Sequence, residues 1–248
     1  MKVFVINLDR DVDKMKSIDS QLKALGVEYE RISAIYGKNL SVEQQRVAYS
    51  PFRWWCAIGR PIAPAEIGCA LSHHSIYRRI VDENLPCACI LEDDVALAPN
   101  FAQQLKFVED NIQTSKKQLI LLSDHSVEDR KDGTFVCSEG EPPNLQRTNN
   151  DLCSEGYCVT TRAAEALLKC NTPISVPLDH WGRLAKQGGI ELYHAKPTVC
   201  NQKQNVFGTT TAAERTSVND LPLPLYLMYK FKRLIGKTID NTLIMLGK

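Results

Sequence analysis

The sequence predicts one α/β domain over residues 1–220, a mostly parallel sheet flanked by helices, followed by a helical tail over 221–248. Three observations predict it. The chain opens as strand, helix, strand, the unit from which parallel sheets are built. Its strands read as continuous apolar runs, as strands covered on both faces do. Its 248 residues are 44% hydrophobic and 24% charged, enough apolar material for one substantial core.

The elements follow in order. Val3-Phe-Val-Ile6 is a buried strand that ends in the polar Asn7-Leu-Asp-Arg10. Met15, Ile18, Leu22 and Leu25 mark one face of a helix, and Gly26 stops it. Val27 to Ile32 alternates as a second strand. Ser41 with Gln44 is a capping box for a short helix. Pro51-Phe-Arg-Trp-Trp-Cys56 reads as an aromatic loop, and Pro64 opens a long helix to about Asn84. Pro86 to Leu91 is a buried strand that runs straight into Glu92-Asp93-Asp94. Asn100 caps a helix carrying Phe101, Leu105, Val108 and Ile112. Leu119 to Leu122 is a further strand. Residues 124–150 read as a long polar loop with a small hairpin at Thr134 to Cys137. Gly156 to Thr160 is a strand, and Thr161 caps the helix through Leu168. Asp179 opens a short helical segment ended by Gly188-Gly189, and Ile190 to His194 is a late strand. Residues 201–220 read as irregular.

Composition excludes several functions. Thirty basic against 29 acidic residues give a net charge of +1, too little to hold nucleic acid. Nine cysteines, an odd number with no CxxC pair, read as reduced, buried small hydrophobes rather than disulfides or a zinc site. No run approaches the ~20 apolar residues of a membrane span. The first residues are too short and too weakly charged for a signal peptide, so the expected location is cytoplasmic. The tail from 225 carries five basic residues and one acidic. Met228, Phe231, Ile235, Ile239 and Leu246 form one stripe, which suits either peripheral contact with an anionic membrane or packing on the body.

The strongest chemical signal is Glu92-Asp93-Asp94. Three adjacent carboxylates repel one another, and they stand beyond the carboxyl end of a strand, where open α/β sheets bind ligands. A hard divalent cation would relieve the repulsion; a solvated acidic turn is the alternative. If the strand continues, Glu92 and Asp94 share one side and Asp93 faces the other.

These residues belong to a wider pattern. Val5-Ile-Asn-Leu-Asp-Arg10, Ala65-Glu-Ile-Gly-Cys-Ala-Leu-Ser-His73, Ile90-Leu-Glu-Asp-Asp-Val95, Gly156-Tyr-Cys-Val-Thr160 and Pro177-Leu-Asp179 occur in that order. Together they resemble glycosyltransferase family 25, the bacterial lipooligosaccharide glycosyltransferases and their collagen-modifying relatives. The resemblance covers about residues 1–205. It implies a GT-A type, Rossmann-like fold and an inverting transfer, usually of galactose from UDP-galactose, to a saccharide acceptor such as lipooligosaccharide. The implied cofactor is a divalent metal, manganese, held by Asp94 and Glu92 with His194 as a further candidate ligand. Asn7, Leu8 and Arg10 are implied to hold the nucleotide together with Ser72, His73 and Asp93; Arg10 also suits a surface salt bridge, and His73 a structural role. Asp179 is the candidate base for the acceptor hydroxyl, or else a helix cap. Glu155, Gly156, Tyr157, Asn201 and Gln202 are candidates for the sugar site, and Trp54, Trp55 and Trp181 for stacking on sugar rings. Glu155, Asp151 and Asp124 are the alternative bases. Two rival readings stand beside transfer: a non-catalytic saccharide-binding relative, and a glycoside hydrolase using Glu92 and Asp94, which would need no metal.

Overall fold

A computed structural model of the chain describes residues 1–124, 142–149, 152, 154–202, and 223, 224, 226, 227, 229 and 230. Strands β1 (Lys2–Asn7), β2 (Glu30–Ser33) and β3 (Cys87–Glu92) come first; β4 (Val95–Leu97) follows the acidic turn. They are joined by β5 (Gln118–Leu121), β6 (Asn144–Thr148), β7 (Gly156–Thr160), β8 (Glu191–Lys196) and β9 (Cys200–Gln202). Seven of these make one sheet in the order β2-β1-β3-β7-β5-β8-β6. β1 is parallel to both β2 and β3, and β5 is parallel to β8. β7 is antiparallel to β3 and β5, and β6 is antiparallel to β8. The sheet is therefore mostly parallel, with β7 and β6 reversed.

Period-two alternation builds the two cores. Val3 and Val5 of β1 pack with Ile18 and Leu22 of α1 (Val12–Ala24) and with Phe101, Leu105 and Val108 of α5 (Phe101–Asn111). Phe4 and Ile6 face the other way. They join Ile76, Tyr77 and Ile80 of α4 (Pro64–Asp82), Ala163 and Leu167 of α6 (Thr161–Cys170), and Trp181 and Leu184 of α7 (Trp181–Gly188). Cys87, Cys89, Cys158 and Cys200 are buried in the first core, as the apolar reading of the cysteines requires, whereas Cys69 and Cys170 are half-buried and Cys56 is exposed, contrary to it.

Four local expectations are corrected. The aromatic segment is α3 (Pro51–Ile58), not a loop. Ser50 caps it by accepting from the Arg53 N–H, Pro51 sits in its first turn, and Gly59 ends it at φ 82°. Trp54 points inward and is 1% exposed. Within the supposed long loop, Asn144 to Thr148 pairs with β8; its half-exposed polar sequence is that of an edge strand and carries no apolar run. Thr160 rather than Thr161 caps α6, through its Oγ1 and the Ala163 N–H. Asn201 and Gln202 belong to β9, which pairs with β4. The expected hairpin at 134–137, most of the tail and Asp151 lie outside the described residues. Among the described residues no helix is long and apolar enough to cross a membrane.

Candidate active site

Because β1 and β3 are parallel and Ile6 lies opposite Glu92, their carboxyl ends emerge side by side. Asn7 leaves one and Glu92-Asp93-Asp94 the other. α1 starts directly after the first strand's polar turn and carries Asp11 and Lys14 over the strand ends. α4 runs across them with Cys69, Ser72 and His73. The remaining wall is Ala34 to Gly37, and a cavity opens between these elements, reaching Leu8 and Gln202. The wall and α4 touch backbone to backbone. A Cβ on Gly37 would stand 1.7 Å from the Pro64 carbonyl oxygen, and one on Gly68 would stand 2.3 Å from that of Ile35. Glycine is required at both positions by this close approach.

The three adjacent carboxylates have different surroundings. Asp93 accepts a hydrogen bond of 2.7 Å from Asn7 Nδ2. Asn7 is itself saturated, donating also to the Asp11 carbonyl and accepting from Arg31 Nε. Glu92 Oε1 lies 3.7 Å from His73 Nε2, beyond hydrogen-bond reach. Gln202 Nε2 approaches Asp94 Oδ2 at 3.5 Å. Lys14 Nζ stands 3.5 Å from Asp94 Oδ2 and 3.7 Å from Asp93 Oδ1. Among the described residues only three buried side-chain polar atoms have no hydrogen-bond partner, and two are Glu92 Oε1 and Asp94 Oδ1. The third is Nε2 of His74, an imidazole that burial and then Arg78 keep uncharged, its pKa brought down to about 4.

Electrostatics separate the carboxylates further. Burial, then the Glu92 charge, push the Asp94 carboxyl up to about 7, against the pull of Lys14. Burial also raises Asp93. Glu92 goes the other way. Burial opposes its charge, but His73, Ser154 and Lys14 together hold its carboxyl below the usual range. Lys14 stays charged because Asp94 and Asp93 outweigh its burial. Unpaired buried carboxylate oxygens are costly unless a cation or donor meets them, and oxygen donors suit a hard divalent cation. Glu92 and Asp94 carry the bare oxygens that would meet one, while Asp93 is engaged by Asn7; the three carboxylates do not gather as a three-ligand cluster.

His73 is 1% exposed and its Nδ1 lies 2.7 Å from the Tyr157 hydroxyl, which lies 2.6 Å from that of Tyr77. Trp181 packs edge-on against Tyr157, with ring centroids 4.9 Å apart. Tyr157, Trp181 and Trp54 are all buried, so none of them is placed to stack on a sugar; the first two belong to the core between the sheet and α4, α6 and α7, and Trp54 packs with Ile67, Ala70 and Ile174.

The other expected residues are placed as follows. Leu8 lines the cavity. Arg10 is exposed at its rim, 4.0 Å over the Tyr36 ring. Ser72 also lines the cavity, but its Oγ is engaged, donating to the Gly68 carbonyl and accepting from the Ile35 N–H. Glu155 is buried, accepts from Ser123 Oγ, and through its carbonyl receives the Glu92 N–H. Gly156 is packed so closely that a Cβ would stand 2.7 Å from Cys200 Sγ. His194 is buried with Nδ1 2.9 Å from the Ser123 carbonyl, and it does not gather with Glu92 and Asp94 into a three-ligand cluster. Asn201 lies opposite Ala96. Asp124 pairs with Lys196. Asp179 precedes α7, whose N-cap is His180, so Asp179 is not the cap. It does not line the cavity.

Two further cavity residues, Lys14 and Cys69, do not stand out as site residues in the sequence. Lys14 stands four residues before Ile18 and eight before Leu22, on the ridge of α1 that is buried. That spacing was the available signal. Cys69 stands four before His73 on α4, so their side chains share a face.

The sequence model of glycosyltransferase family 25 (LPS biosynthesis protein) matches residues 1–181. The chain is 28% identical over 191 residues to procollagen galactosyltransferase 1-A of Xenopus laevis, covering 73% of this chain and 30% of that protein. It is 26% identical over 175 residues to procollagen galactosyltransferase 2 of Homo sapiens, covering 68% and 28%. It is 25% identical over 186 residues to a glycosyltransferase 25 family member of Drosophila melanogaster, covering 73% and 30%. The chain thus spans under a third of the length of these curated relatives.

Proposed function

The chain belongs to glycosyltransferase family 25, and from that premise we propose that it is a metal-dependent inverting hexosyltransferase, moving galactose from UDP-galactose to a saccharide acceptor of lipooligosaccharide or lipopolysaccharide. One observation carries the reading. Two buried carboxylate oxygens without a hydrogen-bond partner, Glu92 Oε1 and Asp94 Oδ1, stand at the carboxyl end of parallel strands. That is where open α/β sheets bind nucleotides. Galactose is supported by the names of the relatives, and the bacterial acceptor by the description of the family.

A divalent cation bound by these carboxylates, manganese in this reading, would neutralise the charge that grows on the departing diphosphate. Lys14 supplies a fixed positive charge from the facing helix. Asn7 does not touch the nucleotide in this reading; it holds Asp93 in place. Leu8, Ile35 and Tyr36 give the cavity an apolar wall for the base, with Arg10 at the rim. Gln202, brought in by β9, lies on the sugar side in this reading. Asp179, just before α7 and outside the lining of the cavity, is the base for the acceptor hydroxyl in this reading. The basic composition of the tail supports work at the cytoplasmic face of an anionic membrane.

A protein acceptor is the second reading, because the relatives include proteins named for procollagen. The test is UDP release from a panel of nucleotide sugars, with manganese or chelator, using lipooligosaccharide core saccharides and a collagen peptide as acceptors. Manganese-dependent release from UDP-galactose with a core saccharide is the expected result. Release only with the peptide moves the acceptor to the second reading. Donor binding without release leaves a saccharide-binding relative. Glycoside cleavage in chelator, with no donor, identifies the hydrolase.

A further inference from the structure

We propose that Cys69, His73 and Glu92 form a binding site for a zinc-class divalent cation, chemically distinct from an all-oxygen site. The ligand atoms of the three residues all lie within 4.8 Å of one another, and among the described residues no other trio of His, Cys, Asp and Glu does so. Glu92 Oε1 is also one of the two oxygens of the transfer reading, so one cation at a time can take it; the inference concerns cation binding alone.

The three ligand atoms converge from two elements. Cys69 and His73 are one turn apart on α4 and face the same way; Glu92 meets them from the end of β3. In a tetrahedral site with bonds of about 2.0–2.3 Å, ligand atoms stand roughly 3.3–3.8 Å apart. His73 Nε2 and Glu92 Oε1 are 3.7 Å apart, too far for a direct hydrogen bond and within that edge length. Glu92 Oε1 is buried and has no hydrogen-bond partner.

The surroundings of His73 fit the same role. Its Nδ1 is held by the Tyr157 hydroxyl at 2.7 Å, and Tyr157 is fixed in turn by Tyr77 and Trp181. An outer partner on one ring nitrogen orients the other toward a metal, as it does for most ligating histidines. Thiolate, imidazole and carboxylate together select zinc or cobalt over magnesium or manganese. Binding would form a metal–sulfur bond and release the Cys69 proton to solvent. Three protein ligands leave a fourth position toward the cavity that all three residues line, for water or a phosphate oxygen.

Cobalt(II), titrated into the chelator-stripped full chain without nucleotide, tests the inference. The expected result is a thiolate-to-cobalt charge-transfer band with strong four-coordinate visible bands, saturating at one equivalent. Cys69→Ser should lose the charge-transfer band. Cys56→Ser, at an exposed thiol on α3, should keep it. Tyr157→Phe should weaken cobalt affinity by about 10-fold or more. No band in the wild-type chain, or a band that survives Cys69→Ser, overturns the proposal. Should Cys69→Ser fail to fold by circular dichroism, X-ray absorption at the zinc edge of the wild-type chain decides. One sulfur at about 2.3 Å with nitrogen or oxygen at about 2.0–2.1 Å supports the site. A shell without sulfur overturns it. A shell with two or more sulfurs also overturns it, and points to the buried Cys89, Cys158 and Cys200 instead.

Discussion

Asp94→Asn should make the protein more stable at neutral pH while removing most of its transfer activity. Burial, then Glu92, push the Asp94 carboxyl up to about 7 from its ordinary 3.8. In the unfolded chain it ionises near pH 4; in the folded chain it keeps its proton to near pH 7. Between these values folding takes up a proton, so stability falls as pH rises. Each unit is worth about 1.4 kcal/mol until the slope fades around pH 7, so the interval from pH 5 to 8 removes roughly 3 kcal/mol. Asparagine cannot ionise and escapes that loss. Wild type and variant should therefore unfold at similar urea concentrations at pH 5, in chelator. At pH 8 the variant should be the more stable by about 3 kcal/mol. Manganese should then recover more stability for the wild type than for the variant, which keeps Glu92 but has lost the Asp94 ligand. The three tryptophans provide the fluorescence readout. A gap of the same size at both pH values, or a variant that is weaker at pH 8, would refute the account of Asp94 as a carboxylate held at a cost for a cation.

Lys14→Met removes the cation 3.5 Å from Asp94 and 3.7 Å from Asp93. Leaving buried carboxylates uncompensated should cost ~3–5 kcal/mol at pH 8, less at pH 5 where they gain protons, both read by urea unfolding. Gly68→Ala drives a Cβ to 2.3 Å from the Ile35 carbonyl oxygen and should lower stability by ~1–3 kcal/mol or more, with UDP binding lost by calorimetry as the Ala34 to Gly37 wall shifts. Asp179→Asn should lower transfer by ~10²–10⁴-fold while UDP affinity and the thermal midpoint stay near wild type; unchanged transfer removes Asp179 as the base.

What could be read from sequence was what is contiguous in it. The run Pro86 to Asp94 places an apolar strand and its carboxylates in one segment, so both the strand and the liganding end of the sheet were legible. The buried face of α1 was equally plain from Ile18 and Leu22. Lys14 was not, because its meaning depends on Asp93 and Asp94, about 80 positions away, and a lysine in a helix usually faces water. Cys69, His73 and Glu92 illustrate the same limit: the helical spacing of the first two is not a CxxC pattern, and the third arrives from another element. The direction of β7 was also hidden, since Gly156 to Thr160 is as apolar in reverse as it is forward. Tyr157 was legible as a motif but not as a buried support, because an aromatic residue suits a core and a sugar face equally well. β6 escaped because an edge strand with one wet face carries little apolar pattern.

The three consecutive carboxylates explain why a single acidic motif can be both stable and reactive. Had the fold treated them alike, all three would have taken hydrogen bonds and become a solvated turn, or all three would have repelled one another and shed their charge as protons. Instead Asp93 is anchored by Asn7, and that anchor is fastened in turn to Arg31 and the Asp11 carbonyl. Glu92 is drawn toward His73 and keeps its charge, while Asp94 is left with Lys14 and a long contact from Gln202. One carboxylate therefore fixes the turn, and the other two present bare oxygens. Relieving the strain by adding donors would stabilise the protein and fill the place a cation needs. The instability of Asp94 and the liganding capacity of the turn are on this view one property, since buried bare oxygens are what each consists of.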